Sequence, residues 1–325
     1  MRSETNLIQF IFLVNVAKSR LMPQGRVTIV VPTHNRSTQV SALLESIKRN
    51  FTPEIDSIIV VDDSETPVDL VSKFPELNLR HLLLHKRIFI SKAKNIGWRE
   101  AKTPYVFFID DDNIVEEATI TGTLDAIAHK PGAAAIMPAV LYKSQPDLVW
   151  VYAAPFTSPP DFELLGRNLP RNPSLEQRYY NTDALPNASI IRREALEQVG
   201  GFNERLVVNS SMNIAVKLKS LGWKVFAYTG SFIYHDVEPP GKLGWWAAHG
   251  WADPKRVRYE MSDWFIIMRT VREKQKFLML RSILDSARFV LPNSLAYLVR
   301  GRARRKVIVE LCRGYIDGIV ESWSG

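Results

Sequence analysis

The stretch Tyr105–Asn113 reads YVFFIDDDN and puts three carboxylates, Asp110, Asp111 and Asp112, directly after a five-residue apolar run. The run has the β-branched and aromatic make-up of a fully buried strand. In an open α/β sheet, ligands bind at the carboxyl ends of strands. Three like charges there repel one another and are costly to desolvate unless a cation joins them. Oxygen ligands suit Mg²⁺ or Mn²⁺, and Mg²⁺ usually takes one or two carboxylates plus substrate phosphates. The triplet therefore predicts a metal–diphosphate site. The plainer alternative is a cap for a helix starting near Val115, but one acid would serve for that.

The elements around the triplet must hold it at a sheet edge. Val27–Pro32 reads as a buried strand ending in the polar turn Thr33–Arg36, with Ser37 or Thr38 as cap of the helix that carries Val40, Leu43, Leu44 and Ile47. Ser57–Val61 is a second buried strand ending in Asp62–Asp63, and Leu79–Leu84 is a third. A helix over Ser91–Ala101 follows, containing Lys94. This alternation predicts an α/β fold with a mostly parallel, doubly wound sheet. If the strands ending in Asp62–Asp63 and Asp110–Asp112 are neighbours, both acidic clusters line one crevice. Neither GxGxxG nor GxxxxGK[ST] occurs, so phosphates are not held by a glycine-rich loop. Asp62 suits a hydrogen bond from a base N–H or ribose hydroxyl, and equally suits a solvated turn.

Further on, Gly132–Tyr142 and Asn187–Arg193 read as strands, and Ser144–Asp183 as long loops. Arg193–Val199 and Ser211–Ser220 read as helices, the second capped by Ser210 or Ser211. Two short strands, Lys224–Tyr228 and Phe232–Tyr234, lead to His235, which is either structural or a ligand to metal or phosphate. Trp245, Trp246 and Trp251 suit stacking on a sugar face, anchoring at a membrane interface, or a place in the core.

Composition narrows the setting. The chain has 325 residues, 46% of them hydrophobic, so a sizeable core forms and wholesale disorder is excluded. One cysteine, Cys312, excludes an intrachain disulfide and fits a reducing, cytoplasmic compartment. Net charge is +8, and from Asp253 to Arg313 there are 15 Lys and Arg against 6 Asp and Glu. The positive charge therefore lies in a helical tail divided at Pro292, with the dense run Val299–Lys306, VRGRARRK. Such a tail predicts peripheral contact with anionic membrane, at the inner face of the cell membrane, or a solvated basic face. No motif for reading nucleic acid accompanies it, and nucleic acid is not an expected partner. Leu7–Val16 is too short to span a bilayer and reads as an interfacial or packed helix. Three regions result: an apolar segment over 1–25, a catalytic domain over 26–252 and a basic helical region over 253–325.

Five stretches together resemble family-2 glycosyltransferases of the GT-A fold. They are VTIVVPTHNR (Val27–Arg36), IIVVDDS (Ile58–Ser64), SKAKNIGWREAKTPYVFFIDDDN (Ser91–Asn113), IIRREALEQVGGFNERL (Ile190–Leu206) and FIYHD (Phe232–Asp236). The resemblance implies a nucleoside-diphosphate sugar donor, Mn²⁺ or Mg²⁺, and a glycan, lipid-linked or polyprenyl-phosphate acceptor. It implies that Pro32, Thr33 and Arg36 hold the nucleotide, Asp62 reads the base, and Lys94 and Asp110 lie by the base or ribose. Asp111 completes the DxD motif, and Asp112, with Asp110 and His235, holds the metal. Asn187 and Ala188 match the wall by the donor sugar and acceptor, with Trp245 and Trp246 as further sugar contacts. One position departs from the family. Ser210 and Ser211 stand where a Glu-Asp pair usually supplies the general base, and serine is a poor base unaided. Asp183, Glu204 or Asp236 acts instead, with Ser211 retained as a candidate, or the acceptor is already an anion, or the protein binds donor without turnover.

Overall fold

The computed structural model describes residues 25–158, 161–239, 254–271 and 304–323, with Leu280 and Leu284. The proposed helix at Leu7–Val16, the tryptophans Trp245, Trp246 and Trp251, and Pro292 lie outside the described residues.

Three apolar runs build the centre. β1 (Val27–Thr33) is buried along its whole length and pairs in parallel with β2 (Ile55–Asp62) on one side and β4 (Tyr105–Ile109) on the other. Helices α1 (Ser37–Arg49) and α2 (Leu70–Lys73) flank β2 in the chain, and β3 (Leu79–Leu83) pairs in parallel with β2. Helix α3 (Phe89–Glu100) returns across the sheet, and Gly97 lets it approach closely, since a Cβ there would lie 2.3 Å from Val30 Cγ1. After β4 come β5 (Asn113–Val115), helix α4 (Glu117–Ala128) and the buried β6 (Ala133–Tyr142). The helix expected near Val115 therefore starts two residues later, because Asn113–Val115 is drawn into the sheet.

The segment read as loops contributes short strands instead: β7 (Val149–Val151), the pair β8 (Phe156–Ser158) and β9 (Asp161–Phe162), and β10 (Tyr179–Asn181) at the sheet edge. Three-residue strands leave too little alternation to be read as such. β11 (Ala188–Arg192) runs antiparallel between β4 and β6, and is followed by α5 (Arg193–Val199) and α6 (Ser210–Ser220). The two expected strands before His235 are one, β12 (Lys224–His235), with a register shift between Tyr228 and Phe232. The sheet order is β10-β12-β6-β11-β4-β1-β2-β3, a mostly parallel α/β sheet with antiparallel insertions. β2 and β4 are not neighbours, as β1 lies between them. The two acidic clusters are thus separated by one strand, and the β1 turn bridges the gap.

Two C-terminal helices complete the described structure. α7 (Pro254–Val271) packs Trp264, Ile267 and Met268 against Met212 and Val216 of α6. α8 (Arg304–Trp323) lies on α7 through Val307 and Leu311, which meet Val257 and Met261.

Candidate active site

The triplet sits in the turn between β4 and β5. Pairing of β5 with the end of β12 sets Asn113 opposite His235, which brings the histidine to the triplet. The Asp112 carbonyl accepts from the Asp236 amide at 2.8 Å, and Asp112 Oδ1 lies 3.6 Å from His235 Nε2. Asn113 Nδ2 donates to the Asp110 carbonyl, and Asn187 Nδ2 donates to Asn113 Oδ1. Asn187 itself has φ 64° and places its carbonyl to accept the Asp110 amide at 2.8 Å. Asn35 (φ 53°) and Phe89 (φ 62°) are also left-handed at this edge of the sheet. Strained backbone of this kind persists only where its surroundings enforce it.

The three acids differ in role. Asp111 is buried, accepting from Thr33 Oγ1 at 2.7 Å and Arg36 Nη1 at 3.0 Å. Burial pushes it up to about 6, with Arg36 and Thr33 opposing the rise. It therefore ties the β1 turn to the β4 turn. Asp110 pairs with Lys94 Nζ at 3.0 Å, and Lys94 is itself buried, with its ammonium 5.9 Å from the centre of the Phe202 ring. Lys94 thus orients Asp110. Asp112 accepts from Arg36 Nη1 at 2.7 Å. Burial alone would raise it, yet His235 and Arg36 bring it down to about 2. Asp111 and Asp112 are thus shifted in opposite directions, and Asp112 is the one whose charged form its neighbours favour.

Among the described residues, no group of three His, Cys, Asp or Glu side chains is arranged to hold a metal ion. Asp110, expected to join Asp112 and His235, has its Oδ1 3.0 Å from Lys94 Nζ, an ion pair without hydrogen-bond geometry. Asp112 Oδ1 and His235 Nε2 remain as two convergent donors, and His235 Nδ1 is buried without a hydrogen-bond partner. Two protein donors fit a hard divalent cation that takes its other ligands from phosphate oxygens and water.

Asp62 is buried, accepting from the Ser64 amide at 2.8 Å and lying 3.1 Å from His81 Nε2. Burial opposes its ionisation, but His81 and Ser64 hold it below the ordinary range. Asp63 organises the neighbouring loop, accepting from the amides of Ile88 and Phe89. Pro32 is a buried member of β1, and Ala188 begins β11 opposite Ile109.

The proposed substitutes for the missing base are each engaged. Asp183 accepts from Lys219 Nζ at 2.6 Å and the Phe156 amide at 2.8 Å. Glu204 accepts from Asn95 Nδ2 and opens into a groove lined by Arg99, Phe202, Asn213 and Lys217, which contains none of the triplet. Asp236 pairs with Lys143 at 2.7 Å. Neither Ser210 nor Ser211 caps α6; the cap position is Asn209, whose side chain makes no capping bond.

That cap comes from elsewhere. Asp263 of α7 is buried, and its carboxylate accepts from the amides of Val207, Val208 and Asn209, the closest at 2.6 Å. Glu260, one turn earlier, accepts from Asn209 Nδ2 at 2.8 Å. Two acids from α7 thus stand at the start of a helix that has none in its own first turn. Burial raises both, Asp263 to about 7 against its three amide bonds. The same part of α7 reaches the start of α3, where Tyr259 stacks edge-on with Phe89 at 6.0 Å. These acids escape a sequence reading because α7 is distant in the chain and only its apolar period is visible.

The sheet order, the acidic turn at its carboxyl edge and the flanking helices define a GT-A fold. The mannosyltransferase PcManGT from Pyrobaculum calidifontis, solved with GDP-Man and Mn²⁺, superimposes with a TM-score of 0.52 at 16% identity, covering 93% of this chain and 88% of that one. S. aureus TarS 1–349 in complex with UDP-GlcNAc gives 0.52 at 17% identity, covering 92% and 91%. In sequence, a model described as glycosyl transferase family 2 matches residues 28–200. The chain belongs to glycosyltransferase family 2. It is 31% identical over 112 residues to a teichoic acid poly(glycerol phosphate) polymerase of Staphylococcus epidermidis, a match covering 33% of this chain and 16% of that protein. The first curated relatives are matched over 16% to 35% of their own length.

Proposed function

We propose that the protein transfers a sugar from a nucleoside-diphosphate sugar, with a divalent cation, to a glycan, lipid-linked or polyprenyl-phosphate acceptor, inverting the anomeric carbon. The observation that carries this is Asp112 at the carboxyl edge of β4, with His235 at 3.6 Å and Arg36 at 2.7 Å. A bound Mn²⁺ or Mg²⁺ supplies charge neutralisation on the diphosphate leaving group. Asp112 and His235 are the residues to hold it, and Arg36, on the same turn, is placed to turn toward phosphate. Thr33 and Asp111 fix the β1 turn, Lys94 fixes Asp110 toward the ribose, and Asp62 takes the base. Rate then comes mainly from placement and electrostatics.

The three acids suggested as bases are held by Lys219, Asn95 and Lys143. This favours an acceptor that is already anionic, such as a phosphate oxygen ionised at neutral pH, which needs no base. A second reading, a non-catalytic donor-binding homologue, is favoured by Ser210 and Ser211. UDP- and GDP-sugars, the classes seen with the two structural neighbours, are the first donors to test. The purified protein is to be melted with each, with and without Mn²⁺, and nucleoside diphosphate release followed with phospholipid-linked or glycan acceptors. A metal-dependent rise in melting temperature with one donor supports the site. Release of diphosphate with an acceptor supports turnover, and binding without release supports the second reading.

A further inference from the structure

α8 has two faces of different character. Val307 and Leu311 fill the side toward α7, and two glycines make the contact close. A Cβ on Gly314 would lie 2.3 Å from the Arg258 carbonyl oxygen, and one on Gly318 would lie 2.8 Å from Phe265 Cβ. The α7 side is thus fully used. On the opposite side Val309, Ile316 and Val320 recur at helical spacing and are 47%, 57% and 59% exposed. Three β-branched aliphatic side chains in one line on solvent are not explained by packing within the described residues.

The charges around this stripe point to its partner. α8 opens with Arg304, Arg305 and Lys306, following Arg300 and Arg302 in the chain, and has no acid in its first turn. Cations at a helix N-terminus oppose the helix dipole, so these residues do not serve the helix. Arg305 and Lys306 are exposed and make no ion pair among the described residues. An aliphatic stripe edged by cations complements a surface with an apolar interior and anionic headgroups. No helix among the described residues is long and apolar enough to cross a membrane, so contact along the surface is the geometry this helix suits. The far end of α8 lies by the loop before α6, where Arg205 Nη1 donates to the Glu321 carbonyl at 2.9 Å. Ser91 of α3 donates to the Leu206 carbonyl of that same loop, one turn of α3 before Lys94.

We propose that the outward face of α8 seats the protein on an anionic phospholipid bilayer, and that the acceptor reaches the site from that surface. The second clause rests on the transferase reading; the first does not. The test uses the full chain with vesicles of phosphatidylcholine and vesicles also containing phosphatidylglycerol, read by flotation. Binding to the anionic vesicles alone is expected. V309D/I316D and R305E/K306E should each weaken it by about tenfold or more, with unchanged melting temperature and donor-induced shift. No binding to anionic vesicles, or binding that both variants leave intact, overturns the proposal. So does a V309D/I316D variant that converts a dimer to a monomer with vesicle binding unchanged, since the face would then join two copies. Binding that depends only on Arg305 and Lys306 and is matched by DNA would likewise overturn it. A failed donor shift with intact flotation would count against the transferase reading alone.

Discussion

Asp263 carries the most demanding prediction. Its carboxylate, 1% exposed, takes three amides just before α6. Hydrogen bonds to a charged group contribute about 1.5–3 kcal/mol each, and amides left without an acceptor cost more than the bond was worth. The bonds to Val208 at 2.6 Å and Asn209 at 2.8 Å dominate, so Asp263→Ala should cost about 3–5 kcal/mol. Ionisation of the same carboxyl is opposed by burial and by Glu260, which raise it to about 7. An acid raised in the folded state binds more protons there than in the unfolded chain. Its contribution to stability therefore falls as pH rises from the ordinary carboxylate range to about 7. At 1.36 kcal/mol per pH unit the full effect is of order 4 kcal/mol. Glu260, raised in the same direction, adds to it, and Arg256 moderates Glu260. Asp263→Asn keeps one acceptor oxygen and removes the titration. Thermal melts at pH 5 and pH 8 decide the matter. Wild type should melt lower at pH 8, Asp263→Asn should lose much of that difference, and Asp263→Ala should melt below wild type at pH 5, with the gap narrowing at pH 8. An Asp263→Ala protein that melts with wild type at pH 5, or an Asp263→Asn protein with the full pH difference, would show that Asp263 neither caps α6 nor titrates in this way.

Two further substitutions probe how the site is held. Gly97→Ala places a methyl 2.3 Å from Val30 Cγ1 and should cost about 1–3 kcal/mol by overpacking; adding Val30→Ala should restore much of the melting temperature. Lys94→Met leaves Asp110, whose side chain is 28% exposed, without its cation. The loss should be about 1–3 kcal/mol, below that for a fully buried pair, and isothermal titration should show weaker donor affinity while far-ultraviolet circular dichroism stays unchanged.

Much of the sheet was legible because its strands are buried on both faces and read as continuous apolar runs, as in Val27–Pro32 and Tyr105–Ile109. The acidic turn was legible for the complementary reason, since charge follows such a run abruptly. What escaped was set by pairing across the chain. β5 exists because Asn113–Val115 pairs with β12, and nothing in three residues announces that. Asp110 and Asp111 look equivalent to Asp112 in sequence, but Lys94, 16 residues earlier, takes one, and Thr33, 78 residues earlier, takes the other. Ser210 and Ser211 are the local cap candidates for α6, whereas Asp263, more than 50 residues on, accepts the amide of its cap residue Asn209.

Asp112, with His235, should make donor binding depend on a divalent cation. The direct measurement is titration of the UDP- or GDP-sugar that shifts wild type into wild type and Asp112→Asn, with Mn²⁺ and with the metal chelated. Mn²⁺ should strengthen binding to wild type and leave the weak binding of Asp112→Asn unchanged. Equal enhancement by Mn²⁺ in both proteins would contradict it.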